Sequence, residues 1–222
     1  MSRSLRGLYA ITPESGPGDP AHADRRLIEQ VARAIDGGAR LVQYRAKGLT
    51  PDRRRTQAAA LAELCDAAAV ALIINDDVEL ALAVGAAGVH LGRDDAAPAA
   101  ARARLGADAI IGVSCYDRLD LALSAAAAGA DYCAFGSFFP STVKPDAVRP
   151  APDLLTRARA RLKVPLVAIG GITPQNAGLL IAAGADLLAV ITGIFAAPDI
   201  AAAARAYSQL FESGARPTET PR

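Results

Sequence analysis

The residues in this chain that could do chemistry gather where short apolar runs end. "LVQYRAK" closes on Gln43, Arg45 and Lys47 at alternate positions. "LIIND" closes on Asn75 and Asp76, and "GVHLGRDD" on Asp94 and Asp95. "IIGVSCYD" carries Ser114, "VAIGGITPQNAG" carries Gly170, Gly171 and Thr173, and "AVITG" carries Ile191 and Thr192. Another stretch, "AFGSFFPSTVKPDA", turns at Gly136 into Ser141, Thr142, Val143 and a lone Lys144.

If these runs are β-strands, residues two apart share a face, so Gln43, Arg45 and Lys47 point to one side. Two cations there are costly without an anion; the alternative is a solvated strand end with snorkelling stems. Asn75, Asp76, Asp94 and Asp95 offer oxygen ligands from two neighbouring strand ends, with no His or Cys cluster. That donor set suits Mg2+ held partly by substrate phosphates. Asp76 is equally suited to cap a helix over "DVELALAVG". Ser114 can donate to a phosphate oxygen or a leaving group, and no acid–base partner for a serine nucleophile is visible, which disfavours a hydrolase triad. Gly170–Gly171, with Thr173 as a helix cap before Pro174, and the run ending at Thr192 would supply main-chain amides to a second anion. A metal-bound diphosphate beside a phosphate-bearing acceptor points to alkyl transfer from the diphosphate. No residue stands out as a strong base, which suits a dissociative reaction in which the protein stabilises departing charge. His90, in mid-run, reads as a satisfied core residue, His22 carries no signal, and Cys65, Cys115 and Cys133 read as small buried hydrophobes.

One phrase recurs around these residues: a small-residue corner, then a β-type run, with alanine-rich helical segments between. The pattern predicts eight strands, over Leu8–Thr12, Leu41–Arg45, Ala71–Asn75, Gly88–Leu91, Ala109–Ser114, Asp131–Gly136, Pro165–Gly170 and Leu187–Thr192. Their near-continuous apolar character fits strands covered on both faces. Eight strand–helix units without hairpin signals predict an α/β fold, a (β/α)8 TIM barrel in a single domain over residues 1–213, with 214–222 a disordered tail. An open doubly wound sheet is the runner-up, but it would want a G-x-G-x-x-G after the first strand, which "YAITPESGPGDP" does not supply. In a barrel, polar groups at strand C-termini serve function and those at N-termini serve stability. Asp131 and Asp186, in the "GAD" corners before their strands, are therefore expected to be structural. In the segment before one of these corners, Leu119, Leu123 and Ala126 are placed to share a helix face.

Bulk composition narrows the partners. With 24 Lys+Arg against 23 Asp+Glu, net charge gives no reason to expect nucleic acid or an anionic membrane. Five Phe, five Tyr and no Trp argue against a base-stacking platform. No hydrophobic run approaches the roughly 20 residues that span a bilayer, and "MSRSLRGLYAITPESG" lacks the apolar stretch of a secretory signal. Three scattered cysteines suit a reducing cytoplasm rather than a disulfide framework or zinc site. The expected partners are small molecules, and a homo-oligomer is compatible with the sequence.

Taken together, "LYAITP", "VQYRAK", "LIINDDVELALAVGAAGVHLGRDD", "IIGVS", "FGSFFPSTVKPDA" and "VAIGGITPQNAGLLIAAGADLLAVITG" resemble, in order and spacing, the thiamine-phosphate synthase (thiamine-phosphate pyrophosphorylase) family. The resemblance covers about residues 5 to 212. It implies a (β/α)8 barrel that joins 4-amino-2-methyl-5-hydroxymethylpyrimidine diphosphate to 4-methyl-5-(2-phosphoethyl)thiazole. Pyrophosphate and thiamine phosphate are the products, by an SN1-like route in which the aminopyrimidine stabilises a methylene cation. It further implies that Gln43, Arg45, Lys47 and Asn75 contact the pyrimidine diphosphate, that Asp76 and Asp95 ligate Mg2+, and that Asp94 is a solvated neighbour. Ser114 and Lys144, with Arg45, match residues that bind the diphosphate and stabilise its departure. Ser141, Thr142 and Val143 match the thiazole-phosphate loop, and Gly171, Ile191 and Thr192 the rest of that cradle. One departure stands out: the family loop reads Pro-Thr-x-Thr-Lys, whereas this chain has Pro140-Ser141-Thr142-Val143-Lys144. Val143 is nearly isosteric with threonine but lacks its hydroxyl, and a lost hydrogen bond to a charged group costs about 1.5–3 kcal/mol. Alternatives are a thiazole tautomerase, which needs only the thiazole site, and a non-catalytic thiazole-phosphate-binding barrel.

Overall fold

A computed structural model describes residues 5–14, 19–93, 95–140 and 148–212. Eight parallel strands form a closed barrel in sequence order: β1 (Gly7–Ile11), β2 (Ala39–Tyr44), β3 (Ala71–Asn75), β4 (Gly88–Leu91), β5 (Ile110–Tyr116), β6 (Tyr132–Gly136), β7 (Leu166–Ile169) and β8 (Leu187–Val190), with β8 pairing back onto β1. Between and after them lie helices α1 (Pro20–Asp36), α2 (Pro51–Ala67), α3 (Val78–Ala83), α4 (Pro98–Leu105), α5 (Leu119–Ala127), α6 (Asp153–Arg159), α7 (Pro174–Ala182), α8 (Thr192–Phe195) and α9 (Ile200–Glu212). The predicted (β/α)8 barrel is the observed fold. The predicted tail, 214–222, lies outside the described residues.

Each strand is buried on both faces, and the two-residue period sorts its side chains between two cores. In β1, Leu8 and Ala10 face the helices, while Tyr9 and Ile11 join Leu41, Ile73, Tyr132, Val167 and Leu187 inside the barrel. The outer core takes one stripe from each helix. Asp19 caps α1 by accepting from the His22 amide at 2.8 Å, and Pro20 occupies its first turn. The α1 stripe Leu27, Val31 and Ala34 is buried, and a fully buried Leu or Val contributes about 1.5–3 kcal/mol. In α5 the predicted face of Leu119, Leu123 and Ala126 is only partly buried. Ala122 and Ala125 are the fully buried positions, because methyl side chains let the helix axis approach the strands. Among the described residues no helix is long and apolar enough to cross a membrane.

The aspartates of the "GAD" corners have the structural duty expected of them. Asp131 accepts from the Ile111 amide at 2.7 Å and from Arg102 of α4 at 2.5 Å. Asp186 accepts from the Leu166 amide at 2.9 Å and from the guanidinium of Arg159, which ends α6. The same device thus closes two corners at the N-terminal rim: a carboxylate satisfies the first amide of the neighbouring strand and anchors a helix arginine.

Strand ends differ from expectation where a side chain replaces the ladder. β2 stops at Tyr44 rather than Arg45, because Thr12 bridges instead: Arg45 N donates to Thr12 Oγ1 at 2.9 Å. β8 stops at Val190 rather than Thr192, since Thr192 already begins α8.

Candidate active site

The C-terminal rim of the barrel collects Gln43, Arg45, Lys47, Asn75, Asp76, Asp95 and Ser114 from the residues singled out above. Gln43 is 3% exposed and donates from Nε2 to the Tyr9 hydroxyl at 2.6 Å. Arg45 and Lys47, expected to lack counter-charges without a bound anion, each meet a carboxylate. Arg45 pairs with Glu14 at 2.5 Å, and Lys47 Nζ with Asp76 Oδ2 at 3.0 Å. Glu14 also accepts from the Lys47 amide at 3.1 Å. Sequence reasoning overlooked Glu14, although its place just after β1 satisfies the same strand-end rule. Exposed pairs of this kind are worth about 0–1 kcal/mol, so an entering anion competes with them at little cost.

Asn75 is the last residue of β3, in register with His90 of β4. Asp76 follows with φ of 65°, and its amide donates to the His90 carbonyl at 2.8 Å, carrying the ladder one residue further. The helix-cap reading of Asp76 does not hold. Asp77 caps α3, accepting from the Leu80 amide at 2.9 Å while pairing with Arg54 at 2.7 Å. The left-handed turn at Asp76 separates the two carboxylates: one serves the helix, the other is delivered to the rim. Asp95 accepts from the Gly92 amide at 2.6 Å. Partial desolvation, and then the facing Asp76 carboxylate, push its carboxyl above the ordinary aspartate range, while the Gly92 amide and Lys47 pull the other way. Asp94 lies outside the described residues.

Two carboxylates facing one another with an amide-bearing Asn75 nearby make a hard, oxygen-only donor set. Among the described residues no group of three or more His, Cys, Asp or Glu side chains gathers around a potential metal position. Such a pair fits Mg2+, which keeps several waters and takes oxygens from substrate phosphates instead of demanding a full protein cage.

A cavity of about 780 Å3 opens beside this pair, and Gln43, Arg45, Asn75 and Ser114 line one side of it. Gly171, Ile191 and Thr192 line the other. Lys47 and Asp76 line an adjoining crevice of about 540 Å3, which shares Asn75 with the cavity. Ser114 Oγ lies 2.8 Å from His90 Nε2. The glycine pair after β7 does permit close backbone approach, but to the neighbouring loop. A Cβ on Gly170 would fall 1.9 Å from Ser137 Oγ, and one on Gly171 2.2 Å from the Pro140 carbonyl oxygen. Thr173 precedes α7 as expected, with its amide donating to Asn176 Oδ1 at 2.9 Å. Arg93, which sequence reasoning passed over, lies with its guanidinium 4.9 Å from the Tyr116 ring centroid at the cavity edge. Ser141, Thr142, Val143 and Lys144 fall outside the described residues, directly after Pro140.

The profile of the family described as thiamine monophosphate synthase matches residues 8–194. A thiamine-phosphate synthase of Azoarcus sp. (strain BH72) is 57% identical over 211 residues, covering 95% of this chain and all of the relative. That of Thioalkalivibrio sulfidiphilus (strain HL-EbGR7) is 54% identical over 208 residues, covering 94% of this chain and 96% of the relative. Among solved structures, a thiamine phosphate pyrophosphorylase from Pyrococcus furiosus superposes with a TM-score of 0.81 at 32% identity, covering 95% of this chain and 98% of that one.

Proposed function

The chain belongs to the thiamine monophosphate synthase family, and on that premise we propose that its barrel mouth makes thiamine phosphate from a pyrimidine diphosphate and a thiazole phosphate. The observation that carries this reading is the pairing of Asp76 with Asp95 at the ends of β3 and β4, with Lys47 3.0 Å from Asp76 and the Ser114 hydroxyl in the adjoining cavity. A tautomerase, or a barrel that only binds the thiazole phosphate, has no use for that half of the mouth.

In this reading Gln43 and Asn75 orient the aminopyrimidine. Arg45 and Lys47 leave Glu14 and Asp76 to take up diphosphate oxygens, which strengthens both contacts because a diphosphate carries more negative charge than a single carboxylate. Asp76 and Asp95 would hold Mg2+, which supplies charge neutralisation to the diphosphate as it leaves. Ser114 donates a hydrogen bond to the same leaving group, and Lys144 adds a cation. The apolar floor of Ile11, Val167 and Ile169 keeps water away from the reacting carbon. Gly171, Ile191 and Thr192, together with Ser141, Thr142 and Val143, hold the acceptor phosphate, so that the thiazole nitrogen meets the developing cation.

The test is direct. Purified protein incubated with both substrates and Mg2+ should release pyrophosphate and form thiamine phosphate in equal amounts; the absence of both under conditions where a reference synthase works would sink the reading. A second measurement addresses the loop. Val143→Thr is expected to lower the apparent KM for the thiazole phosphate by about 10- to 150-fold. An unchanged KM would show that this side chain is not a ligand.

A further inference from the structure

A line of hydrogen-bonded side chains runs below the mouth from Gln43 to Ser114, and its middle members, Tyr9, Tyr132 and His90, have no task in the reading above. Gln43 Nε2 donates to the Tyr9 hydroxyl at 2.6 Å, and the Tyr9 and Tyr132 hydroxyls meet at 2.8 Å. The Tyr132 hydroxyl meets His90 Nδ1 at 3.0 Å, and His90 Nε2 meets Ser114 Oγ at 2.8 Å. The chain is built, not incidental. His90, Gly112 and Tyr132 are register partners across β4, β5 and β6. A Cβ on Gly112 would fall 1.9 Å from Tyr132 Cζ and 2.2 Å from its hydroxyl oxygen. Glycine therefore clears the slot in which the His90 and Tyr132 rings stack at 5.6 Å and 16°, with Tyr9 edge-on to Tyr132 at 5.9 Å and 86°.

The chain also has a direction. A phenol holds one proton and can donate once. Gln43 gives its amide proton to Tyr9, and of the two senses open to the Tyr9–Tyr132 bond the one that leaves no buried proton without an acceptor sends the Tyr9 proton to Tyr132. The Tyr132 proton must then go to His90 Nδ1. A neutral imidazole that accepts at Nδ1 carries its proton on Nε2, and that proton goes to Ser114 Oγ. The proton of Ser114 itself is then the one left for the cavity. Burial pushes both phenols above the ordinary tyrosine range, so each keeps the proton this ordering needs.

We infer that Tyr132 and His90 are positioning residues that fix Ser114 as a hydrogen-bond donor toward the departing diphosphate. This rests on the assignment of Ser114 to the diphosphate. A hydroxyl can face a ligand with its proton or its lone pairs, and only the proton stabilises an anion. Were His90 to carry its proton on Nδ1, Nε2 would take the serine proton and turn lone pairs toward the leaving group.

The sequence holds two histidines, His22 and His90, so a His22→Gln variant isolates His90 in a nitrogen-15 spectrum. The expected result is a neutral ring protonated on Nε2; a ring protonated on Nδ1 overturns the inference without reference to activity. Kinetics give the second arm. Tyr132→Phe keeps the stacked rings and removes the hydroxyl. It should lower kcat about 10- to 100-fold and leave the KM for the thiazole phosphate unchanged. In a Ser114→Ala background the same substitution should cost nothing further, whereas equal losses in both backgrounds would mark Tyr132 as merely structural and overturn the inference. If Tyr132→Phe does not fold, the tautomer of the wild-type His90 decides alone. A wild type that forms no thiamine phosphate sinks the functional reading and the diphosphate role with it; an active wild type with additive losses sinks the relay only.

Discussion

Asp76→Asn is expected to lower Mg2+-dependent turnover by about a thousandfold or more while leaving the fold intact. The proposed metal has two protein carboxylates, so losing one removes much of a charge stabilisation worth several kcal/mol, and each 1.36 kcal/mol is tenfold in rate. Asparagine is the informative replacement because residue 76 has φ of 65°. Asparagine tolerates that left-handed conformation, whereas alanine adds strain of about 1–2 kcal/mol. The amide of residue 76 can still donate to the His90 carbonyl, and Asp77 still caps α3. The variant loses the Lys47 contact but also the opposition of Asp95, so its melting temperature should stay within about 2 °C of the parent. Pyrophosphate release titrated against Mg2+ and a thermal melt on the same preparation check both halves. Near-wild-type turnover at saturating Mg2+ would remove Asp76 from the metal shell.

Asp186→Ala is expected to destabilise the barrel by about 3–5 kcal/mol, with no role in chemistry. Asp186 is 7% exposed, and it binds the Leu166 amide at 2.9 Å as well as the Arg159 guanidinium. Arg159, whose pKa burial pulls below the ordinary arginine range, also donates to the Leu162 carbonyl at 3.2 Å. Truncating Asp186 leaves a mostly buried cation and a strand amide without this acceptor, and breaking a buried pair from one side costs about that much. For a domain of this size that corresponds to a fall of about 6–20 °C in melting temperature. Asp186→Asn keeps an acceptor for Leu166 and should cost less than half as much. Denaturant or thermal unfolding measures both. A loss below about 1 kcal/mol for the alanine variant would show that the corner relaxes without its carboxylate. Because Asp186 lies at the rim opposite the mouth, folded protein should turn over at the parent rate.

Much of this molecule can be read from its residues in order. The eight apolar runs reveal the barrel because parallel strands covered on both faces have no polar face to interrupt them. The strand-end rule then puts Gln43, Arg45, Asn75, Asp76, Asp95 and Ser114 at one rim and Asp131 and Asp186 at the other, since direction along a parallel strand is direction along the barrel axis. Pairing is another matter. Asp76 and Asp77 are adjacent and chemically identical, and a single left-handed residue sends one to the rim and the other to α3. Arg45 finds Glu14 across 31 positions, and Tyr9 meets Tyr132 across 123. His90 is recognisable in advance as a satisfied core residue, but its partners are not, because they come from neighbouring strands brought level only by the register of the closed barrel. Residue type and strand direction are local properties and survive in the sequence. Which donor faces which acceptor depends on closure, register and the space one glycine leaves, and those exist only once the chain has folded.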